Sequence, residues 1–239
     1  MSTASPLRLH AAPLGFTDGQ LEAIKWLGMA SMLLDHIGRH LMGFAQHSWV
    51  FALGRIAFPC FVFVLAVNLA REGDRAGRCA RTTLRLGLWG AVAVLPSIWA
   101  RGDPTTLNVL FTLSLGAALC WALEGTAAVW LRALACVAIA AVAWFAEFGV
   151  GGVFMVPAIY LCCTQREPAM ALVAALLLLA TAWLNTRFGG WPAFAGTLAT
   201  VPIVWGLRAL PVKVPRWQPL FYLIYPLHLA VIGALKAQG

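Results

Sequence analysis

The chain has 239 residues, 61% of them hydrophobic and 11% charged, with a mean hydropathy of +0.81. This balance excludes a soluble domain, since it leaves too little polar surface to keep such a chain in water, and it predicts an all-α, polytopic membrane protein in the lipid bilayer. The net charge of +8 does not signal nucleic acid, because the basic residues cluster between apolar runs, where they report topology and meet anionic headgroups.

Residues 1–21 read as a polar leader. Arg8, His10, Pro13 and Asp18 interrupt it, so it lacks the apolar core of a cleavable signal peptide. Apolar length, with breaks at Gly, Pro and charge, then predicts about nine spans, over 22–43, 48–70, 83–100, 105–123, 127–146, 148–164, 168–185, 190–209 and 219–236. They make one bundle, a single domain over 22–239 without a soluble module or a visible internal repeat. Only Ala146-Glu147-Phe148-Gly149 parts the fifth span from the sixth, so a broken or re-entrant pair fits there equally.

The connection after the second span carries Arg71, Arg75, Arg78, Arg81 and Arg85, which the positive-inside rule assigns to the cytoplasm. The amino terminus is then cytoplasmic and, with nine spans, the carboxyl terminus is extracytoplasmic. Twelve of the 17 Lys and Arg residues fall inside and four outside, in support of this orientation, while Arg55 falls within a span. His36 and Arg55 accordingly lie toward the extracytoplasmic face. The six cysteines show no metal-ligand spacing, read as buried free thiols, and give no reason to expect a metal.

In the first span, Leu33-Leu34-Asp35-His36-Ile37-Gly38 sets an acid beside an imidazole in an apolar run, where each needs a compensating partner. Asp35 with Arg39, and His36 with His40, are four residues apart and form two adjacent polar stripes. Arg55 stands four residues before Pro59, which frees a backbone carbonyl and invites a kink. These groups either neutralise one another as helix glue or build a site. In the fourth span Thr105, Asn108, Thr112 and Gly116 follow helical spacing on one face, which suits close helix packing or a ligand wall. Glu147 falls at the turn between the fifth and sixth spans. The last span carries Tyr222, Tyr225 and His228 at three-residue steps; the tyrosines alone would suit an interfacial belt, whereas a mid-span His228 beside Pro226 does not.

Lys25, Leu33-Leu34-Asp35-His36-Ile37-Gly38, Leu53-Gly54-Arg55-Ile56-Ala57-Phe58-Pro59-Cys60-Phe61, Asn108-Val109-Leu110-Phe111-Thr112-Leu113-Ser114-Leu115-Gly116 and Phe221-Tyr222-Leu223-Ile224-Tyr225-Pro226-Leu227-His228, in that order, resemble the TraX family. The match is thin between 120 and 215. The resemblance implies a role in conjugative transfer and N-terminal acetylation of pilin in the bacterial inner membrane. It also implies kinship with transmembrane acyltransferases that use cytoplasmic acyl-CoA to modify acceptors across the membrane.

Acyl transfer from a thioester to an amine or hydroxyl needs a base for the acceptor proton and a donor for the oxyanion. His36 is the expected base, with Asp35 orienting it directly or through Arg39 or Arg55. Arg55 is expected either on the phosphates of acetyl-CoA or another acyl-CoA, or paired with Asp35. Asn108 and Thr112 are further expected donor contacts; Tyr222, Tyr225, His228 and Glu147 are expected acceptor contacts, the acceptor being pilin, a glycan or a small amine. Two other classes compete. A proton-coupled transporter also places Asp, His and Arg inside a bundle, but lacks here the repeat and paired broken helices of such folds. An intramembrane serine protease would need Ser114 as nucleophile, outside any Gly-x-Ser-x-Gly context.

Overall fold

The computed structural model describes residues 12–238, and the described residues are helical apart from short connections and one isolated pairing of Leu107 with Ala146. The helices are α1 (Asp18–His40), α2 (Trp49–Gly54), α3 (Ala57–Leu69), α4 (Arg75–Val92), α5 (Val94–Arg101), α6 (Val109–Glu124), α7 (Val129–Ala143), α8 (Gly149–Gln165), α9 (Pro168–Arg208) and α10 (Gln218–Lys236).

Trp49–Leu69 (α2 with α3), Pro168–Arg208 and Pro219–Lys236 are long and apolar enough to cross a membrane, as is the α4–α5 pair if its 48° bend lies within one span. Helices α6, α7 and α8 are shorter and apolar. Among the described residues the nine expected spans map onto nine helical segments, counting α2 with α3 and α4 with α5 as one each and α9 as two, and several of their bounds shift for a local cause. Helix α1 starts before the expected 22 because Thr17 and Gln20 form a reciprocal capping box, at 2.9 and 3.3 Å. Of the expected leader, residues 1–11 lie outside the described residues, while Phe16 is buried against Phe63. The second pass breaks at Arg55, four residues before Pro59, where the proline has no N–H to return.

The sixth helix begins only at Val109, because the Asn108 side chain caps it through the Leu110 N–H at 3.1 Å. Thr105 and Asn108 therefore do not share a helical face with Thr112 and Gly116, contrary to the spacing argument. The seventh and eighth passes are the two halves of α9, broken at Gly190, whose φ of 61° and ψ of −157° are open essentially to glycine alone. Across that break the Asn185 amide donates to Thr197 Oγ1 at 2.9 Å.

The core lies among α1, α3, α4, α6, α8 and α10, with Met29, Phe58, Val62, Leu113, Tyr160 and Leu229 at its centre. Small residues set the spacing. A Cβ at Gly116 would stand 2.5 Å from Val156 and one at Gly28 would stand 3.2 Å from Cys60, so α6 meets α8, and α1 meets α3, almost backbone to backbone. Helix α7 and the first half of α9 lie outside this core and expose Trp130, Leu134, Val137, Leu172, Leu176 and Trp183.

Candidate functional site

Asp35 and His36 face inward from the last third of α1, 2% and 8% exposed. Asp35 accepts two parallel bonds from Arg39, from Nε and Nη2 at 2.8 Å each, one helical turn on. Its Oδ2 also accepts from Arg55 Nη2 at 2.6 Å. The α2–α3 break brings Arg55 there, and the absence of a side chain at Gly54 lets it approach, since a Cβ would stand 2.4 Å from that of Asp35. Arg55 further lies over the Phe51 ring at 4.1 Å. Its Nε is buried without a hydrogen-bond partner.

His36 takes its orientation from α10 rather than from Asp35. His228 Nδ1 lies 2.9 Å from the Ile224 carbonyl, which accepts but cannot donate, so Nδ1 carries the proton. With both rings neutral, His228 Nε2 is then the acceptor for His36 Nδ1 at 2.8 Å. That assignment leaves the lone pair of His36 on Nε2. The ring is held as the tautomer that a base needs.

Asp35, His36, Gly54, Arg55, Glu147 and Tyr225 line a small cavity of about 30 Å³, room for one or two waters. The stacked rings of Phe58 and Phe148, 3.6 Å apart, form part of its apolar wall. Glu147 reaches this wall because the Leu107–Ala146 pairing pins its turn to the α5–α6 connection, with the Glu147 N–H on the Leu107 carbonyl at 2.9 Å. Its carboxylate pairs with Arg101 at 3.5 Å.

A second cavity, of about 310 Å³, runs from the other end of the bundle and shares Met32, Phe61, Val109 and Tyr225 with the small one. Its mouth carries Lys25, Arg71, Arg78, Arg85 and Arg216, with Glu22. Arg78 shapes this mouth by donating to the Leu69, Arg71 and Glu72 carbonyls at 3.1, 2.5 and 2.8 Å, closing the α3–α4 turn. Asp74 caps α4 there; the Gly77 N–H on its carboxylate, at 2.7 Å, holds its carboxyl below the usual range. Arg71 bonds to Asp18, tying the turn to the start of α1.

The family model for TraX protein matches residues 20–236, a range that contains every residue lining the two cavities. The chain belongs to the TraX family. It is 31% identical over 231 residues to protein TraX of Escherichia coli, covering 93% of this chain and 89% of that protein. Protein TraX of Escherichia coli strain K12 is likewise 31% identical, over 234 residues, with the same coverage. No solved structure matches.

In this TraX-family chain the structure joins Asp35, His36, Arg55, Tyr225 and Glu147 around one small space, with His228 against His36, and it pairs Arg55 with Asp35. Asn108 and Thr112 line neither cavity. The Asn108 amide is spent on the Gly90 carbonyl at 2.9 Å, and Thr112 is wholly buried in the α6 packing. Ser114 donates to the Thr83 carbonyl at 2.8 Å, so it is a packing residue rather than a nucleophile beside His228. Tyr222 lies at the large cavity, stacked on Trp89, so the Tyr222–Tyr225–His228 stripe runs from the large cavity to His36. The basic mouth was missed as a site. Its signal was present in Lys25 and in Arg71, Arg78 and Arg85 of the loop, whose charge was assigned to topology and anionic headgroups. Among the described residues no group of His, Cys, Asp and Glu is arranged to hold a metal ion.

Proposed function

We propose that this chain is an acyltransferase of the bacterial cytoplasmic membrane that moves an acyl group, acetyl by family likeness, from acyl-CoA to an amine or hydroxyl on the extracytoplasmic side. A pilin N-terminus is the acceptor that the family suggests. The observation that carries this reading is the chain Ile224 carbonyl, His228, His36, which presents an unprotonated Nε2 at a cavity bounded by a buried guanidinium.

In the reaction, His36 Nε2 takes the acceptor proton as the acceptor attacks the thioester carbonyl carbon. The negative charge that develops on the carbonyl oxygen is met by Arg55 Nε, the buried donor left without a partner on the same wall. The carbon–sulfur bond then breaks, and the departing thiolate recovers the proton from His36. Asp35 holds the two guanidiniums in place rather than acting on the imidazole. Orientation follows from charge: the arginine-rich end is cytoplasmic and receives the donor, and the Glu147 end receives the acceptor.

The test is coenzyme A release by the purified chain in detergent, supplied with acetyl-CoA and an N-terminal pilin peptide or a panel of small amines and glycans. Acceptor-dependent release supports the reading. Release that is absent with every acceptor, together with solute accumulation in proteoliposomes, assigns the buried charges to transport.

A further inference from the structure

We propose that the basic mouth of the large cavity binds the nucleotide phosphates of a coenzyme A thioester, and that the pantetheine arm lies along α1 toward His36. This rests on the acyltransferase reading and adds the residues that hold the donor. Lys25, Arg71, Arg78, Arg85 and Arg216 line this mouth with Glu22, which pairs with Lys25 and Arg216, while Arg71 bonds to Asp18. A diphosphate with a phosphomonoester carries roughly three and a half to four negative charges at neutral pH, of the sign and order that five cations against two carboxylates attract.

Arg85 is the residue best prepared for phosphate. No carboxylate pairs with it among the described residues, and its guanidinium lies 5.5 Å from the Tyr222 ring, which steadies a planar fork for bidentate contact. Inward of the cations the walls turn apolar, with Met29, Met32, Leu65, Val109 and Leu113. Such a wall suits the dimethyl and methylene groups of the arm and offers nothing to a phosphate.

The lengths agree. Lys25 and His36 are both on α1, eleven residues apart, which is about 16 Å at 1.5 Å per residue. From the inner phosphate to sulfur, the arm is a chain of about thirteen covalent bonds, roughly 15 Å at the reach of an extended chain. A donor anchored at the mouth therefore sets its thioester beside Tyr225, at the wall common to both cavities. Arg55, paired with Asp35 on the far side of that wall, is left free of any phosphate role.

The experiment is calorimetry on the full chain in zwitterionic nanodiscs, titrated with coenzyme A and with 3′-dephospho-coenzyme A. Wild type should bind coenzyme A about tenfold more tightly than the dephospho form. Arg85→Gln and Arg216→Gln should each weaken coenzyme A binding about fivefold or more. Arg81→Gln, on the same segment but outside the cavity wall, should stay within about twofold. His36→Gln should bind as wild type does. Equal affinity for both ligands, or an unchanged affinity in the Arg85→Gln/Arg216→Gln double variant, overturns the proposal. So does retention of phosphatidylglycerol by native mass spectrometry with no heat from coenzyme A, which assigns the mouth to lipid headgroups. The two readings fail separately. Binding that follows this pattern without acyl transfer to any acceptor removes the acyltransferase reading and keeps the phosphate site, whereas transfer with an unchanged KM for acetyl-CoA in the double variant does the reverse.

Discussion

The cluster around His36 and the mouth around Arg85 use similar residue types to opposite ends. At the first, the single Asp35 carboxylate, its side chain 3% exposed, engages both Arg39 and Arg55, so each guanidinium is paired and held in place before any ligand arrives. At the second, five cations border the cavity with two carboxylates, Glu22 and the Asp18 that holds Arg71, and the space beside them is ten times larger. Buried charge that is already paired cannot bind a substrate ion strongly, but it can hold a geometry. Cations in excess of carboxylates beside an open cavity attract an anion. The difference separates chemistry from capture along one helix, with α1 supplying Asp35 and His36 to the one and Lys25 to the other.

The comparison is broken most sharply at His36. His36→Gln should leave expression and thermal stability near wild type while lowering acyl transfer about 10²- to 10⁴-fold, the usual contribution of a positioned base. Transfer assays beside thermal unfolding in detergent check this, and full activity in a folded variant would remove the base. Next in size is Asp35→Ala, which leaves the largely buried Arg55 guanidinium and the partly exposed one of Arg39 without their carboxylate. A loss of about 3–5 kcal/mol in stability is expected, largely restored when Arg55→Met is added, because the second change removes one uncompensated charge. Arg85→Ala at the mouth, where the side chain is exposed and pairs with no carboxylate among the described residues, should cost about 0.5 kcal/mol or less by the same unfolding measurement. Comparable losses at the two sites would mean that both ends are structural.

Much of the fold was legible in the sequence, and specific residues show why. The i to i+4 pairing of Asp35 with Arg39 needs only a helix, whereas Thr17-x-x-Gln20, a local signal too, was passed over in starting the first span at 22. The three-residue stripe of Tyr222, Tyr225 and His228 likewise depends on α10 alone. Asn108 misled the spacing argument because a side chain that caps a helix ends the helical face it was counted on. The choice of partner for Arg55 rested on the break at α2–α3 and on the missing Cβ of Gly54, neither of which spacing reveals. Contacts between distant segments were beyond reach altogether. His36 and His228 are 192 residues apart. The mouth gathers α1, the α3–α4 turn, α4 and the segment before α10, and no single stretch of sequence contains it.

His228 sharpens the comparison from the other side of the ring. If its Nε2 serves only as the acceptor that fixes the His36 tautomer, then His228→Gln, which keeps an acceptor oxygen, should retain most activity. His228→Leu should lose about tenfold to a hundredfold, in kcat rather than in the KM for acetyl-CoA. Equal losses in both variants, or a loss confined to the KM for the acceptor, would return His228 to the acceptor-contact role expected from the sequence.

Salt gives the smallest effect and tests the contrast without altering a residue. The Debye length falls from about 10 Å at 0.1 M to about 3 Å at 1 M, so partly hydrated cations lose much of their attraction for a phosphate, whereas a pair buried like Asp35 and Arg55 is screened far less. Raising sodium chloride over this range should therefore raise the KM for acetyl-CoA about threefold to tenfold. The kcat at saturating donor and the unfolding temperature should stay nearly constant, since the groups that set them lie behind the apolar wall of Met32, Phe61 and Val109. A neutral donor analogue such as an acyl-pantetheine, which lacks the phosphates, should bind more weakly throughout and show almost no salt dependence. Should kcat fall instead while the KM for acetyl-CoA holds steady, the screened charges would be the ones at His36, and the division of labour between the two ends of α1 would have to be reversed.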